Sequence, residues 1–269
     1  MAAVGYRGGT AVVTGASSGI GAEFARRLAE RGSDLVLVAR RRERLEALAA
    51  EIRAASGVRV DVVPLDLGRA DVGEELLAAL DGLGVAPTSL VNSAGSGTFG
   101  AFHEQAPDGI AGEVAVDVAG LVAVTRALIG PLRAAGTGVL VNVASLAAFQ
   151  GTPRMAVYAA AKAFVLSFTE ALWWEARGTG LRVLALSPGA TGTEFFEVAG
   201  EQAASGRSLA TPREVVSTAL AALDRRNPPP GVVVGRANRL TASLTRLAGR
   251  RAAVRVVGTL TDRSAAAAG

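Results

Sequence analysis

The chain has 269 residues, half of them hydrophobic and 4% aromatic, with 28 basic against 24 acidic side chains, the size and composition of one large α/β domain. No Cys and a single His, His103, exclude disulfides, thiolate metal sites, Cys nucleophiles and His-rich zinc sites, and leave a Ser-His-Asp triad only that one His. Lys162 is the only lysine; the other basic residues are Arg, and nine of them fall in 225–269 against one Asp. The pI near 10.5 therefore reports a basic tail on a net-acidic body. That tail holds no aromatic residue, which argues against nucleic-acid binding. The first residues lack the charged start and apolar core of a signal peptide, and the charge-free stretches 82–103 and 134–153 are broken by Gly, Ser, Asn and Pro. The expectation is a cytoplasmic chain with no membrane-spanning helix.

In chain order, short β-branched runs predict strands at 10–14, 34–38, 58–63, 89–92, 138–143, 181–187 and 231–234. Amphipathic stretches between them predict helices over 19–31, 41–55, 71–81, 107–134, 153–178 and 211–224, with Gly32 and Gly57 as stops and Thr211-Pro212 as a start. Strands this continuously hydrophobic are covered on both faces. The fold class is thus α/β: a Rossmann-like doubly wound parallel sheet of about seven strands, in a single domain over 1–235. Ligands of such sheets bind at the carboxyl ends of the strands where the winding reverses. Residues 236–269 read as a basic helical extension with a flexible end. It fits docking on the domain, covering the substrate lid, packing on a partner subunit, or weak contact with an anionic membrane surface.

Between the first strand and first helix stands Thr14-Gly15-Ala16-Ser17-Ser18-Gly19-Ile20-Gly21. Glycines let such a turn approach a pyrophosphate, whose charge meets free N–H groups at the helix N-terminus; the alternative is a merely structural tight turn. At the end of the second strand, where an NAD site places a carboxylate, the chain has Ala39-Arg40-Arg41-Arg42. A guanidinium there favours the 2′-phosphate of NADP, the competing reading being a solvated helix start. The strongest signal is Tyr158-Ala159-Ala160-Ala161-Lys162. With two Tyr and one Lys in the chain, chance gives this spacing about 1% of the time. Tyrosine and lysine lie one turn apart on a helix face, and an ammonium beside a phenol lowers its pKa toward that of a general acid/base. Ser145, just past the fifth strand, offers a hydroxyl at the same sheet edge.

These motifs, with Asn92-Ser93-Ala94-Gly95 and Pro188-Gly189, stand in the order and approximate spacing of the short-chain dehydrogenase/reductase family, which residues 10–234 resemble. The resemblance implies a nicotinamide cofactor and hydride exchange with a carbonyl or alcohol carbon. Tyr158 would protonate the carbonyl oxygen, Ser145 would hydrogen-bond it, and Lys162 would lower the tyrosine pKa and hold the ribose. Gly15, Ser17, Ser18, Gly19, Ile20 and Gly21 would hold the diphosphate and ribose, Arg40 and Arg41 the 2′-phosphate, and Asp66 and Leu67 would face adenine. Asn92, Ala94 and Gly95 would line the middle of the cofactor, and Pro188, Gly189, Thr191 and Thr193 its nicotinamide end. The arginine run resembles the NADP-preferring branch, so NADP(H) is the expected cofactor. Two departures stand out: N-S-A-G replaces the family's usual N-N-A-G, and Asp117 replaces the Asn that shapes a proton path. A carboxylate there would bind a water or couple to Lys162, which makes Asp117 a candidate catalytic residue.

Residues 194–210 correspond to the family's substrate lid. Phe195 and Phe196, with Phe99, Phe149 and Gln150, would wall a pocket for a mostly apolar carbonyl or alcohol substrate. Trp173 and Trp174 read as core or subunit interface. The resulting expectation is a metal-free, homo-oligomeric (dimeric or tetrameric), NADP(H)-dependent ketone reductase. Alternatives are a non-redox enzyme on the same fold (cyclase, dehydratase or epimerase) and a non-enzymatic cofactor-sensing protein.

Overall fold

Seven strands pair in parallel throughout: β1 Thr10–Thr14, β2 Asp34–Ala39, β3 Val60–Pro64, β4 Ser89–Asn92, β5 Val139–Val143, β6 Arg182–Ser187 and β7 Gly231–Val233, in the order β3-β2-β1-β4-β5-β6-β7. This computed structural model describes residues 4–195, 209–247 and 249–266. The helices are α1 Gly19–Glu30, α2 Arg42–Ser56, α3 Val72–Leu83, α4 Pro107–Val114, α5 Leu121–Ala134, α6 Ala156–Glu175, α7 Pro212–Leu223, α8 Arg236–Leu247 and α9 Arg250–Ala266. The winding reverses between β1 and β4, which opens the crevice expected of a doubly wound sheet.

Alternate strand residues feed two cores. Ala11, Val13, Leu35 and Leu37 pack with Phe24, Leu28, Leu45, Ile52, Val216 and Leu220 from α1, α2 and α7. Val12, Val36, Val38 and Leu90 pack with Leu76, Leu80, Val124, Leu128 and Leu132 from α3 and α5. Each of the larger side chains among them, Val, Leu, Ile or Phe, contributes about 1.5–3 kcal/mol when fully buried, which is why these strands carry almost no polar residues. Local signals set the ends: α2 stops at Gly57 in the left-handed region (φ 66°), and Thr211 and Glu214 form a reciprocal capping box ahead of α7, with Pro212 in its first turn.

Three local features differ from the sequence-based expectation. The helix expected over 107–134 is interrupted by a π-helical segment, Ala115–Gly120, that joins α4 to α5. The run Pro107–Ala134 is 28 residues long and apolar enough to cross a membrane by length and composition alone, yet Leu121, Val124, Leu128 and Leu132 are buried within the protein. Second, α6 begins three residues late, because Arg154 takes a positive φ of 66°. Third, the tail folds as two helices, α8 and α9, the latter reaching Ala266 and thus into the end expected to be flexible. Most of the expected lid, including Phe196, lies outside the described residues.

Candidate active site

The loop from β1 to α1 opens the site. Gly15 has φ +66°, and a Cβ there would lie 2.6 Å from the backbone nitrogen of Ala94; only glycine lets the β1 and β4 loops touch. Thr14 Oγ1 ties the same loops together, accepting the N–H of Ser93 at 3.2 Å. Ser18 stands at the N-cap of α1 but makes no side-chain capping bond, and no acidic residue fills the first turn. Among the described residues the first N–H groups of α1 thus have no side-chain partner, an arrangement that suits a phosphate.

That loop lines a cavity of about 860 Å³ at the carboxyl edge of the sheet. On its wall stand Gly15, Ser17, Ser18, Gly19, Ile20, Arg40, Arg41, Asp66, Leu67, Ala94 and Gly95 at one end. Ser145, Gln150, Tyr158, Lys162, Pro188, Gly189, Thr191, Thr193 and Phe195 complete it. The uncapped helix end, the backbone-lined glycine loop and the arginines beside it are the donor set a dinucleotide requires, so these residues fit the implied cofactor.

Several expected residues are elsewhere. Asn92 is buried behind the wall, its amide spent on Thr125 Oγ1 and Asn142 Oδ1, both at 2.9 Å, in an internal network that continues to Thr169. Gly21 faces the protein, where a Cβ would collide with the Gly15 carbonyl; it brings α1 close to β1. Phe99 and Phe149 are off the wall; Leu146, Ala147, Thr152 and Met155 are on it. The tail supplies Val257, Leu260 and Thr261 from α9, a contribution invisible in the sequence because nothing local there encodes which surface a tail helix covers. Trp173 donates from its indole to Pro228 O at 3.1 Å among core residues, whereas Trp174 is exposed with Arg177 over its ring.

The chemistry-bearing side chains converge from β5, α6 and the π-helical segment. Tyr158 and Lys162 share a face of α6, with Nζ of Lys162 5.5 Å from the tyrosine ring centre and within 3.4 Å of the Val143 carbonyl. Phe195 packs against the tyrosine, ring centres 5.1 Å apart and planes tilted by 44°. Asp117 is wholly buried: Oδ1 accepts the Ser96 N–H at 2.8 Å, and Oδ2 lies 2.8 Å from Lys162 Nζ. The expected coupling of Asp117 to Lys162 is therefore a direct ion pair.

A second carboxylate, Glu113, is also buried. Its Oε2 accepts from Thr98 N at 3.0 Å and Thr98 Oγ1 at 2.8 Å, while Oε1 has no hydrogen-bond partner among the described residues. Sequence reading missed it, although its place four residues before Asp117 in one helical run was a usable signal.

Lys162 does pull the tyrosine pKa down, as expected, but the net shift is upward. Burial pushes the Tyr158 phenol up; Lys162 and the Ser145 hydroxyl pull it down, Asp117 and Glu113 push it up again, and the result lies above the ordinary tyrosine value. For Lys162, burial disfavours the charge, but Asp117 first, then Tyr158 and Glu113, more than offset it and hold the ammonium above its ordinary value. Burial likewise raises the Glu113 carboxyl, with Asp117 adding to the effect against the hydrogen bonds from Thr98.

Comparison with known proteins bears on this arrangement. The sequence profile described as short chain dehydrogenase matches residues 9–204. A sulfoacetaldehyde reductase of Chromohalobacter salexigens is 41% identical over 198 residues, 72% of this chain and 77% of the relative. A short-chain dehydrogenase from Sphingobium yanoikuyae solved in complex with NADPH is 35% identical, with a TM-score of 0.75 over 89% of this chain and 94% of that one. A Burkholderia phymatum short-chain dehydrogenase/reductase in complex with NAD is 26% identical, TM-score 0.78, over 89% and 93%. Match and geometry agree that the chain is an oxidoreductase of the nicotinamide-dependent kind, and it belongs to the short-chain dehydrogenase/reductase family.

Proposed function

We propose that the chain reduces the carbonyl group of a mostly apolar small molecule, with NADPH preferred over NADH. The observation that carries this reading is the joint presence, on one cavity wall, of the β1–α1 glycine loop, Arg40 at the end of β2, and the Ser145, Tyr158 and Lys162 side chains. The bound cofactor would supply hydride to the carbonyl carbon.

This chain's own residues supply the rest. Tyr158, its phenol held above the usual value, keeps its proton through the neutral range and gives it to the carbonyl oxygen as negative charge builds there. Ser145 orients that oxygen by hydrogen bonding. Lys162, kept charged by Asp117, holds the ribose hydroxyls and stabilises the phenolate left behind. Phe195, Leu146, Met155, Val257 and Leu260 give the substrate end its apolar character and exclude water. Exposed Phe164 and Trp174 on α6 support the homo-oligomer reading, for which light scattering on the purified chain is the check.

The test is a titration with NADPH and NADH separately, followed by NADPH consumption with a panel of ketones and aldehydes. NADPH binding at least about tenfold tighter than NADH, with one alcohol formed per NADPH consumed, is the expected result. Tyr158→Phe should abolish turnover while leaving NADPH affinity within a few-fold. Turnover by that variant would remove Tyr158 from its assigned role, and tighter NADH binding would overturn the assignment of Arg40.

A further inference from the structure

The nucleotide end of the cavity already holds an anion of the protein's own. Glu194 stands on the cavity wall with Ser17, Ser18, Arg40 and Arg41. Its Oε2 is 2.8 Å from Nη1 of Arg41, and its Oε1 pairs with Arg44. Arg41 spends its remaining nitrogens on the glycine loop, Nε and Nη2 reaching Ser17 Oγ at 3.3 and 2.9 Å and Nη2 reaching Ser18 Oγ at 3.2 Å. All three guanidinium nitrogens of Arg41 are therefore engaged. Arg40 is exposed and has no ion pair among the described residues.

We propose that Glu194 is a cofactor-selectivity residue, whose carboxylate competes with the 2′-phosphate for Arg41 and so weakens the chain's preference for the phosphorylated nicotinamide nucleotide. The proposal rests on Arg40 and Arg41 facing that phosphate. A dianionic phosphate entering beside Arg41 must either displace the carboxylate or lie against a like charge, and both oppose binding. NADH brings no phosphate to this corner and leaves the pair intact, so the penalty falls on one cofactor alone. The pair is partly exposed, and such pairs hold weakly; the carboxylate therefore tempers phosphate binding without excluding it. Arg44 and Arg41 keep the Glu194 carboxyl below its ordinary pKa, so the competition persists across the neutral range.

The experiment is a fluorescence titration of the full chain with NADPH and with NADH, wild type against Glu194→Gln, which keeps size and hydrogen bonding and removes the charge. The expected result is an NADPH Kd tightened about threefold to tenfold, with the NADH Kd within about twofold. An NADPH Kd that stays the same or weakens, or equal shifts for both nucleotides, overturns the proposal. Arg40→Ala in parallel separates this from failure of the cofactor assignment itself: wild type preferring NADH, with NADPH binding indifferent to Arg40, refutes the assignment. In that case the proposal falls with the assignment, whereas NADPH binding that needs Arg40 but ignores Glu194→Gln overturns the proposal alone; binding of neither nucleotide overturns both.

Discussion

Lys162 and Asp117 form a buried ion pair, Nζ to Oδ2 at 2.8 Å, with Nζ 5.5 Å from the ring centre of Tyr158 on the cavity wall. The lysine's charge is therefore shared between Tyr158 and a carboxylate, and burial decides the rest. A phenol raised in this way is an acid through the neutral range and a base only under alkaline conditions. Carbonyl reduction needs the protonated form and alcohol oxidation the phenolate, so kcat/KM for oxidation should climb with pH through an alkaline transition.

Asp117→Asn should move that transition to lower pH, since it retains an acceptor for the Ser96 N–H while removing the charge that pushes Tyr158 up. The groups facing one another here are Tyr158, Lys162, Asp117 and Glu113, so the transition belongs to the set. A pH profile of alcohol oxidation checks the sign; an unmoved transition would show that Tyr158 does not sense the pair. Asp117→Leu should be far more damaging, costing about 3–5 kcal/mol, because it strands a buried ammonium.

Glu113 gives a stability prediction of opposite character. Its folded-state pKa is raised, so its contribution is fully present below the unfolded value of about 4.3 and is lost as pH rises through the folded one. Glu113→Gln should therefore melt higher than wild type at pH 8, and the advantage should shrink or vanish near pH 4. Thermal melts at the two values check it, and an advantage independent of pH would mean that ionisation of Glu113 carries no cost.

Strand positions, sheet class and the Ser145-Tyr158-Lys162 set were legible because each has a local signature: apolar runs of fixed length, or two side chains one helical turn apart. The β1–α1 loop was legible for the same reason, since glycines before a helix mark it. What escaped was decided by distant packing. Asn92 reads as a cofactor contact until Asn142 and Thr125, 50 and 33 residues on, are seen to consume its amide. Phe99 and Phe149 read as pocket walls because aromatic residues near a site suggest one, whereas the wall includes Val257 and Leu260, more than 90 residues beyond Tyr158. Glu194 reads as part of a lid, and only the approach of Arg41 and Arg44 makes it an electrostatic partner.

The α9 contribution to the wall predicts a substrate-size effect. The helix is seated by the pair of Arg154 with Asp262 at 3.1 Å, and it runs so near Pro153 that a Cβ at Gly258 would lie 3.3 Å from the proline ring. Leu260→Trp or Val257→Trp should raise KM for a bulky fused-ring ketone about tenfold or more while sparing a short aliphatic ketone, since an added indole occupies volume that only the large substrate needs. NADPH affinity should not change. Equal effects on both ketones would indicate that α9 does not border the substrate.

The π-helical segment that carries Asp117 is pinned by Gly120, and this gives a matched pair of substitutions. A Cβ at Gly120 would collide with the backbone carbonyl of Leu67, a residue of the cavity wall. Backbone cannot yield as a flexible side chain can, so Gly120→Ala must push the segment off the β3 loop. The expected cost is about 1–3 kcal/mol, a Tm lower by roughly 2–4 °C for each kcal/mol in a chain of this size. Because Leu67 lines the nucleotide end and Asp117 stands three residues before Gly120, NADPH affinity should fall with it. Gly82 in the last turn of α3 is exposed and has nothing within 4 Å of its added Cβ; there Gly→Ala should stabilise by up to about 0.5–1 kcal/mol, through helix propensity and a less flexible unfolded chain. Opposite signs for two identical substitutions, read as Tm, test whether close approach at Gly120, and not glycine content as such, shapes this end of the site.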